Sequence, residues 1–137
     1  MWGEALLKLE KVFKDKFPNA KVEIGKEKRP ASSKDYPFIY LIPAELKYDS
    51  EKFTLAIAVY FGIVAKEESE RDGMLAFLSF LHDITMTVFE ENISPFVFEP
   101  SAYAMKDFTK NHPYYEGEVQ IFVSFPYQTA ELNERDF

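Results

Sequence analysis

Two histidines and several acidic clusters are the side chains of this chain that could do chemistry, and metal binding is the first chemistry to consider. His82 is followed directly by Asp83, and both side-chain types ligate metal ions. A site needs further ligands at helical distances, but the second histidine, His112, precedes a proline in a different part of the chain. The spacing therefore predicts no metal site and a partly exposed, structural His82. It also predicts that His112 forms a turn, with its imidazole packed on or bonded to local backbone.

Acid and base catalysis requires two carboxylates held in different environments, and the sequence identifies no such pair. The acidic residues cluster at 67–72 and 90–91, a pattern typical of solvated faces. Ser32 and Ser33 lack the glycines of a hydrolase nucleophile elbow, the five glycines form no phosphate-binding loop, and cysteine is absent. We therefore expect no enzymatic activity and no cofactor.

One basic segment interrupts this acidic chain, and it contains Lys26, Lys28, Arg29 and Lys34, diluted by Glu27 and Asp35. One interpretation is a solvated loop that compensates local acid. A second is that copies of this loop, repeated around a symmetry axis, line a lumen or hold an acidic neighbour. A third, an enzyme for a small acidic or phosphorylated compound, requires a concave pocket beside residues 26–34 with a carboxylate or histidine of perturbed pKa.

Length and composition limit the protein to a few classes. A chain of 137 residues, 47% hydrophobic and 17% aromatic, predicts a single domain over 1–137 with a large, Phe-rich core. A net charge of −7 argues against broad or sequence-specific nucleic-acid binding. There is no signal-peptide pattern, and the longest apolar stretch, Phe53–Ala65, is too short for a membrane helix. These features predict a soluble, non-secreted protein without a membrane partner.

Two segments have the apolar spacing of helices. Residues 4–17 predict an amphipathic helix that Pro18 ends. A longer helix is predicted to begin at a capping pair, Ser69 and Asp72, and to run to about Glu91. Its expected inner face consists of Met74, Phe77, Leu78, Leu81, Ile84, Thr85 and Val88.

The remaining apolar segments alternate as strands do. They are Ala20–Ile24, Phe38–Ile42 between two prolines, Phe53–Ala65, and then Phe96–Phe98, Ser101–Met105 and Val119–Phe125, which together predict the last two strands. The polar tail 128–137 is expected to be frayed or ordered only by a neighbour. Short connections predict an α+β fold, a mainly antiparallel β-sheet packed on one side by the N-terminal helix and the long central helix.

Two proline and aromatic motifs carry a family resemblance. They are the strand at Asp35–Pro43, which begins at a Tyr-Pro step, and the turn at Asn111–Gly117, which leads into the final strand. With the order of helices and strands, these motifs resemble the tail-terminator or tail-completion proteins of tailed bacteriophages and prophages. The resemblance implies an antiparallel sheet packed by helices and a structural protein of virion assembly. It implies that the protein caps the tail tube as a ring homo-oligomer, commonly a hexamer, and joins it to the head-side neck.

That role needs complementary surfaces rather than a pocket. The expected interface residues are Tyr114 and Tyr115 in the turn, Tyr60 on the small-residue face of the long strand, and Lys26, Lys28, Arg29 and Lys34 in the basic loop. The implied partners are other copies of the chain, the major tail tube protein and the neck or head-completion proteins. The implied location is the virion tail, with assembly in the host bacterial cytoplasm. The alternative is a small binding module that pairs a partner through an exposed strand edge such as Phe38–Ile42.

Overall fold

Both predicted helices are present in the computed structural model, which describes residues 2–99 and 104–126. The first, α1 (Trp2–Lys16), ends before Pro18, because a residue that precedes proline is disfavoured in helical conformation. The second, α2 (Glu70–Glu90), begins at the predicted cap, where the Ser69 hydroxyl accepts a hydrogen bond of 3.2 Å from the backbone N–H of Asp72.

Six strands form one sheet within the described residues. Their bounds are β1 Lys21–Ile24, β2 Phe38–Tyr48, β3 Lys52–Val64, β4 Val97–Phe98, β5 Ala104–Asn111 and β6 Tyr114–Pro126. The order is β1-β2-β3-β6, and β4 and β5 both pair with the far edge of β6. The β1–β2 pairing is parallel and the other pairings are antiparallel. The fold is therefore α+β, as the sequence predicted.

The two faces of the sheet differ because residues alternate along each strand. Both helices pack on one face, which we call the helix face. Its buried side chains come from all four long elements, as Phe13 of α1, Phe77 of α2, Val59 of β3 and Ile121 of β6 illustrate. The opposite face, the open face, carries no α-helix among the described residues. It has a smaller aromatic cluster, formed by Tyr36, Phe38 and Tyr40 with Tyr60, Val64 and Tyr114 packed against them.

The basic loop owes its length to the parallel pairing of β1 and β2, since parallel strands cannot be joined by a tight turn. Residues 25–37 return the chain across the open face, where Tyr36 packs on Phe38 with ring centroids 5.1 Å apart. Gly25 begins this return at a positive φ of 88°. A 3₁₀ helix at Ser33–Asp35 lies in the segment, so the loop is more ordered than its sequence indicated.

The prediction that Pro43 ends the second strand is wrong. Strand β2 continues to Tyr48, with an irregularity in its pairing to β3 between Pro43 and Glu45. Proline is tolerated there because β1 pairs only as far as Leu41, which leaves this part of β2 at the edge of the sheet. Asp49 then closes the hairpin by accepting backbone hydrogen bonds, which lower the pKa of its carboxyl.

The C-terminal hairpin also differs from its prediction. The turn expected over residues 112–117 is shorter, because β6 already begins at Tyr114 and pairs with β5 and β3 from that residue onward. Strand β5 continues to Asn111, beyond the expected end at Met105. The tail 128–137 and residues 101–103 of the expected strand lie outside the described residues.

Candidate functional site

A buried carboxylate on the open face organises a cluster of hydrogen-bonded polar side chains. Glu116 of β6 lies opposite Gly62 of β3, and its side chain is 10% exposed. Tyr60 donates a hydrogen bond of 2.5 Å to Oε2, and Tyr36 donates one of 3.2 Å to Oε1. Arg29 Nη1 approaches Oε1 to 3.0 Å from the basic loop. The two carboxylate oxygens are therefore satisfied by three donors, two from the crossover loop and one from β3.

Both tyrosines of this cluster are shifted toward the neutral phenol. Burial raises the pKa of Tyr36 to about 12, with further contributions from the charge and hydrogen bond of Glu116. Burial and the hydrogen bond to Glu116 also raise the pKa of Tyr60. Tyrosinate beside a carboxylate is unfavourable in such a place, so both phenols act as hydrogen-bond donors at neutral pH.

Arg29 belongs to this cluster, whereas the lysines predicted with it, Lys26, Lys28 and Lys34, do not. Its pKa is raised mainly by the hydrogen bond and charge of Glu116. For Arg29 alone, the ion pair with Glu116 agrees with the interpretation that the basic loop compensates nearby acidic side chains. Lys26 and Lys28 are exposed and line a separate cleft, while Lys34 lies exposed in the 3₁₀ helix.

A cleft of about 220 Å³ opens beside Arg29. Its walls are formed by residues of the basic loop and of the β5–β6 hairpin: Arg29, Pro30, Ala31, Ser32, Ser33, Tyr36, Asn111 and Tyr114. Tyr114, predicted at an interface, lines this cleft and packs against Tyr36 with ring centroids 5.4 Å apart. Lys66 Nζ lies 2.9 Å from Ser33 Oγ and joins the loop to the end of β3.

Tyr115 is not available as an interface residue. Its side chain is fully buried on the helix face, where its ring is so close to Gly73 that any Cβ there would lie 2.7 Å from the tyrosine oxygen. Its hydroxyl donates to the Glu70 carbonyl at 3.2 Å and lies 2.7 Å from His112 Nδ1. Strand alternation explains this position, since Tyr115 and Glu116 face opposite sides of the sheet. His112 lies in the turn as predicted, but its imidazole bonds to the Tyr115 side chain and not to local backbone.

The outer side of α2 carries an exposed apolar stripe. Leu75, Leu78 and Phe89 are 51%, 46% and 47% exposed, and His82 lies between them on the same side of the helix. Leu78 was predicted on the inner face, which is wrong because the buried side is centred on Phe77, Ile84 and Val88. Apolar residues cover more than half of this helix, so their spacing alone does not identify the buried side.

The predicted edge strand is paired on both sides. Phe38–Leu41 pairs with β1 and with β3, so this half of β2 is interior to the sheet. The free edge of β2 begins at Ile42. Residues 43–48 are all exposed, and they pair only with β3 among the described residues. The edge is blunted by Pro43, by the irregular pairing that follows it and by Lys47.

Comparison of the chain with models of known protein families gave no match, and comparison with curated proteins gave no significant one. In the described part of the chain, no three His, Asp or Glu side chains are grouped closely enough to hold a metal ion. Neither described helix is long and apolar enough to cross a membrane.

Glu116, at the centre of the cluster, was not predicted as a site residue, because it lay within the expected turn over Asn111–Gly117. The signal that could identify it is strand parity, because a glutamate in an apolar strand that is paired on both sides must find hydrogen-bond donors on the face to which it points. Tyr36 was predicted only as part of the Tyr-Pro motif, and Tyr60 only as an interface residue.

Proposed function

We propose that this protein assembles head to tail with copies of itself into a closed ring, and that the ring caps a phage tail tube and joins it to the neck. The proposal combines the motif resemblance with the arrangement of the molecular surface. The partners of such a ring are neighbouring copies, the tail tube protein and neck proteins.

The observation that carries the proposal is a pair of unlike surfaces on opposite sides of one sheet. The stripe of Leu75, Leu78 and Phe89 points away from the sheet on the helix side. On the other side, the open face has the partly exposed Tyr60, Val64 and Phe122, and no α-helix covers it among the described residues. Exposed apolar side chains on a surface of this kind mark interaction sites in soluble proteins.

Two unlike surfaces favour a heterologous contact, in which the stripe of one copy lies against the open face of the next. Such contacts repeat around an axis and form a ring when the rotation closes. A dimer with twofold symmetry, by contrast, would use the same surface on both copies and leave the other one uncovered. A cap on a tube with rotational symmetry needs the ring arrangement.

The test is the solution mass over a wide concentration range, by light scattering coupled to size exclusion, together with electron microscopy of negatively stained particles. We expect a closed oligomer at high concentration. Leu78→Glu should dissociate it, because it places a charge in the contact. The matched control is Leu7→Glu, since Leu7 is 60% exposed on α1, outside the stripe. A monomer at every concentration, or equal effects of both substitutions, would contradict the ring.

The tail role needs a separate test. The gene of a tail cap should lie between those for the head connector and the major tail protein, and the protein should co-sediment with tubes of that tail protein. A ring that ignores these tubes would refute the tail assignment while leaving the ring itself intact.

The strand edge at residues 43–48 favours a second candidate, a binding module that adds a partner strand to β2. It predicts a defined one-to-one complex in which the backbone amides of this edge become protected from hydrogen exchange. Protection at the stripe of α2 instead would support the ring.

A further inference from the structure

The cleft beside Arg29 has the chemistry of an anion site. Its eight lining residues include one cation and no carboxylate. The cleft on the other side of the same loop has about 510 Å³ but is lined by both signs of charge, including Glu23, Glu27 and Asp35. The first cleft therefore has no carboxylate in its walls, although Arg29 borders both clefts and Glu116, which contacts Arg29 and Tyr36, lies close by with its hydrogen bonds already made.

The two serine hydroxyls of this cleft already accept hydrogen bonds. Ser32 Oγ accepts a hydrogen bond from the backbone N–H of Lys34 at 3.2 Å, and Ser33 Oγ accepts one from Lys66 Nζ at 2.9 Å. A hydroxyl that already accepts from an N–H keeps its own proton for another acceptor. Both serines can therefore donate into the cleft.

The cleft has further donor groups without a partner among the described residues. Arg29 uses one nitrogen, Nη1, for Glu116, and its remaining N–H groups make no hydrogen bond within the described residues. The side-chain amide of Asn111 and the hydroxyl of Tyr114, which also line the cleft, likewise make no hydrogen bond within the described residues. Glu116 holds the guanidinium in place, so Arg29 need not lose further freedom when it meets a ligand.

We propose that this cleft binds an oxyanion, a carboxylate or a phosphate group, through Arg29, the two serine hydroxyls and Asn111. A cleft volume of about 220 Å³ leaves room for such a group together with water molecules. Tyr36 and Tyr114 form the walls. The group can belong to an acidic side chain of a partner protein or to a free phosphate compound, and ring assembly is not required for this binding.

The experiment is a titration of the ¹⁵N-labelled protein with sodium phosphate, sodium acetate and an acetylated triglutamate peptide, followed by TROSY spectra. Sodium chloride at matched ionic strength is the reference, because it screens charges equally but lacks the several acceptor oxygens that an oxyanion offers to the donors of the cleft. We expect saturable shifts of the amide signals of Ser32, Ser33 and Asn111. Shifts that chloride reproduces, or that do not saturate, would overturn the proposal.

The probes separate the two sources. Saturation by the peptide at lower concentration than by phosphate identifies an acidic protein partner, and the reverse order identifies a phosphate compound. Asn111→Asp adds a carboxylate at the mouth with little change of shape, and should weaken binding of the better probe by at least about tenfold. Asn92→Asp, far along the sequence, makes the same charge change and can keep the acceptor that Ser94 N–H uses. Equal binding by both variants would overturn the assignment of the cleft.

Discussion

The hydrogen bonds of Glu116 predict a specific pattern of stability changes. A hydrogen bond to a charged group contributes about 1.5–3 kcal/mol and a neutral one about 0.5–1.5 kcal/mol. Tyr60→Phe removes the short bond of 2.5 Å to the carboxylate, so we expect it to lower the free energy of unfolding by about 1.5–3 kcal/mol. Glu116→Gln keeps one acceptor oxygen and replaces the other by an NH2 donor, so both tyrosine bonds become neutral and one reverses its direction, which should cost about 2–3 kcal/mol.

The two substitutions should not be additive. In the Glu116→Gln background the Tyr60 hydroxyl loses only a neutral hydrogen bond, so the double variant should be more stable than the sum of the single effects predicts, by about 1 kcal/mol. Arg29 adds little to this difference, because its side chain is more than half exposed and solvent screens its charge.

The assay is unfolding in urea followed by circular dichroism at helical wavelengths, with the free-energy differences taken from midpoints at a common slope. Two controls match the chemistry away from the cluster. Tyr48→Phe alters a tyrosine that is 63% exposed, and Glu51→Gln alters an exposed glutamate, so each should change stability by less than about 0.5 kcal/mol. If Tyr60→Phe and Glu116→Gln changed stability by similarly small amounts, or if their effects were strictly additive, the hydrogen bonds of Glu116 would not stabilise the fold as predicted.

Two further predictions concern packing and pH. Gly73→Ala places a methyl group 2.7 Å from the buried Tyr115 hydroxyl, so we expect it to destabilise the protein, because overpacking costs about 1–3 kcal/mol and the gain in helix propensity is about 1 kcal/mol. The control is Gly3→Ala, where the added methyl group meets no other part of the structure within 4 Å, and it should be neutral or stabilising in the same urea assay. Above pH 10 Tyr36 loses its proton in the unfolded chain, while the folded residue, whose pKa is raised to about 12, keeps it. The free energy of unfolding should therefore fall between pH 10 and pH 12, and it should fall less steeply in Tyr36→Phe. Equal dependence of the urea midpoints on pH in both proteins would contradict this prediction.

Local patterns predicted the parts of the fold that depend on neighbours in sequence. Pro18, the Ser69 cap and the alternation of Phe53–Ala65 each act within a few residues, and each is present as expected. The continuation of β2 past Pro43 depends instead on where β1 stops, which no local pattern contains.

The candidate site depends on long-range pairing even more strongly. Glu116 meets Arg29 only because the crossover loop and β6 reach the same end of the open face. The two residues are 87 positions apart, and a single sequence gives no sign of that proximity. The outer stripe of α2 was missed for a different reason, since its leucines resemble core leucines until the sheet selects the other side of the helix.

The adjacent residues Tyr115 and Glu116 also make alternative strand pairings costly. If β6 slipped by one residue against β3, Glu116 would face α2 in an apolar layer and Tyr115 would leave its place against Gly73. The slipped pairing would bury a charge without donors and leave Tyr36 and Tyr60 without their acceptor. The cluster on the open face thus selects the native alignment of a 13-residue strand whose largely apolar sequence would otherwise tolerate misfolded alternatives.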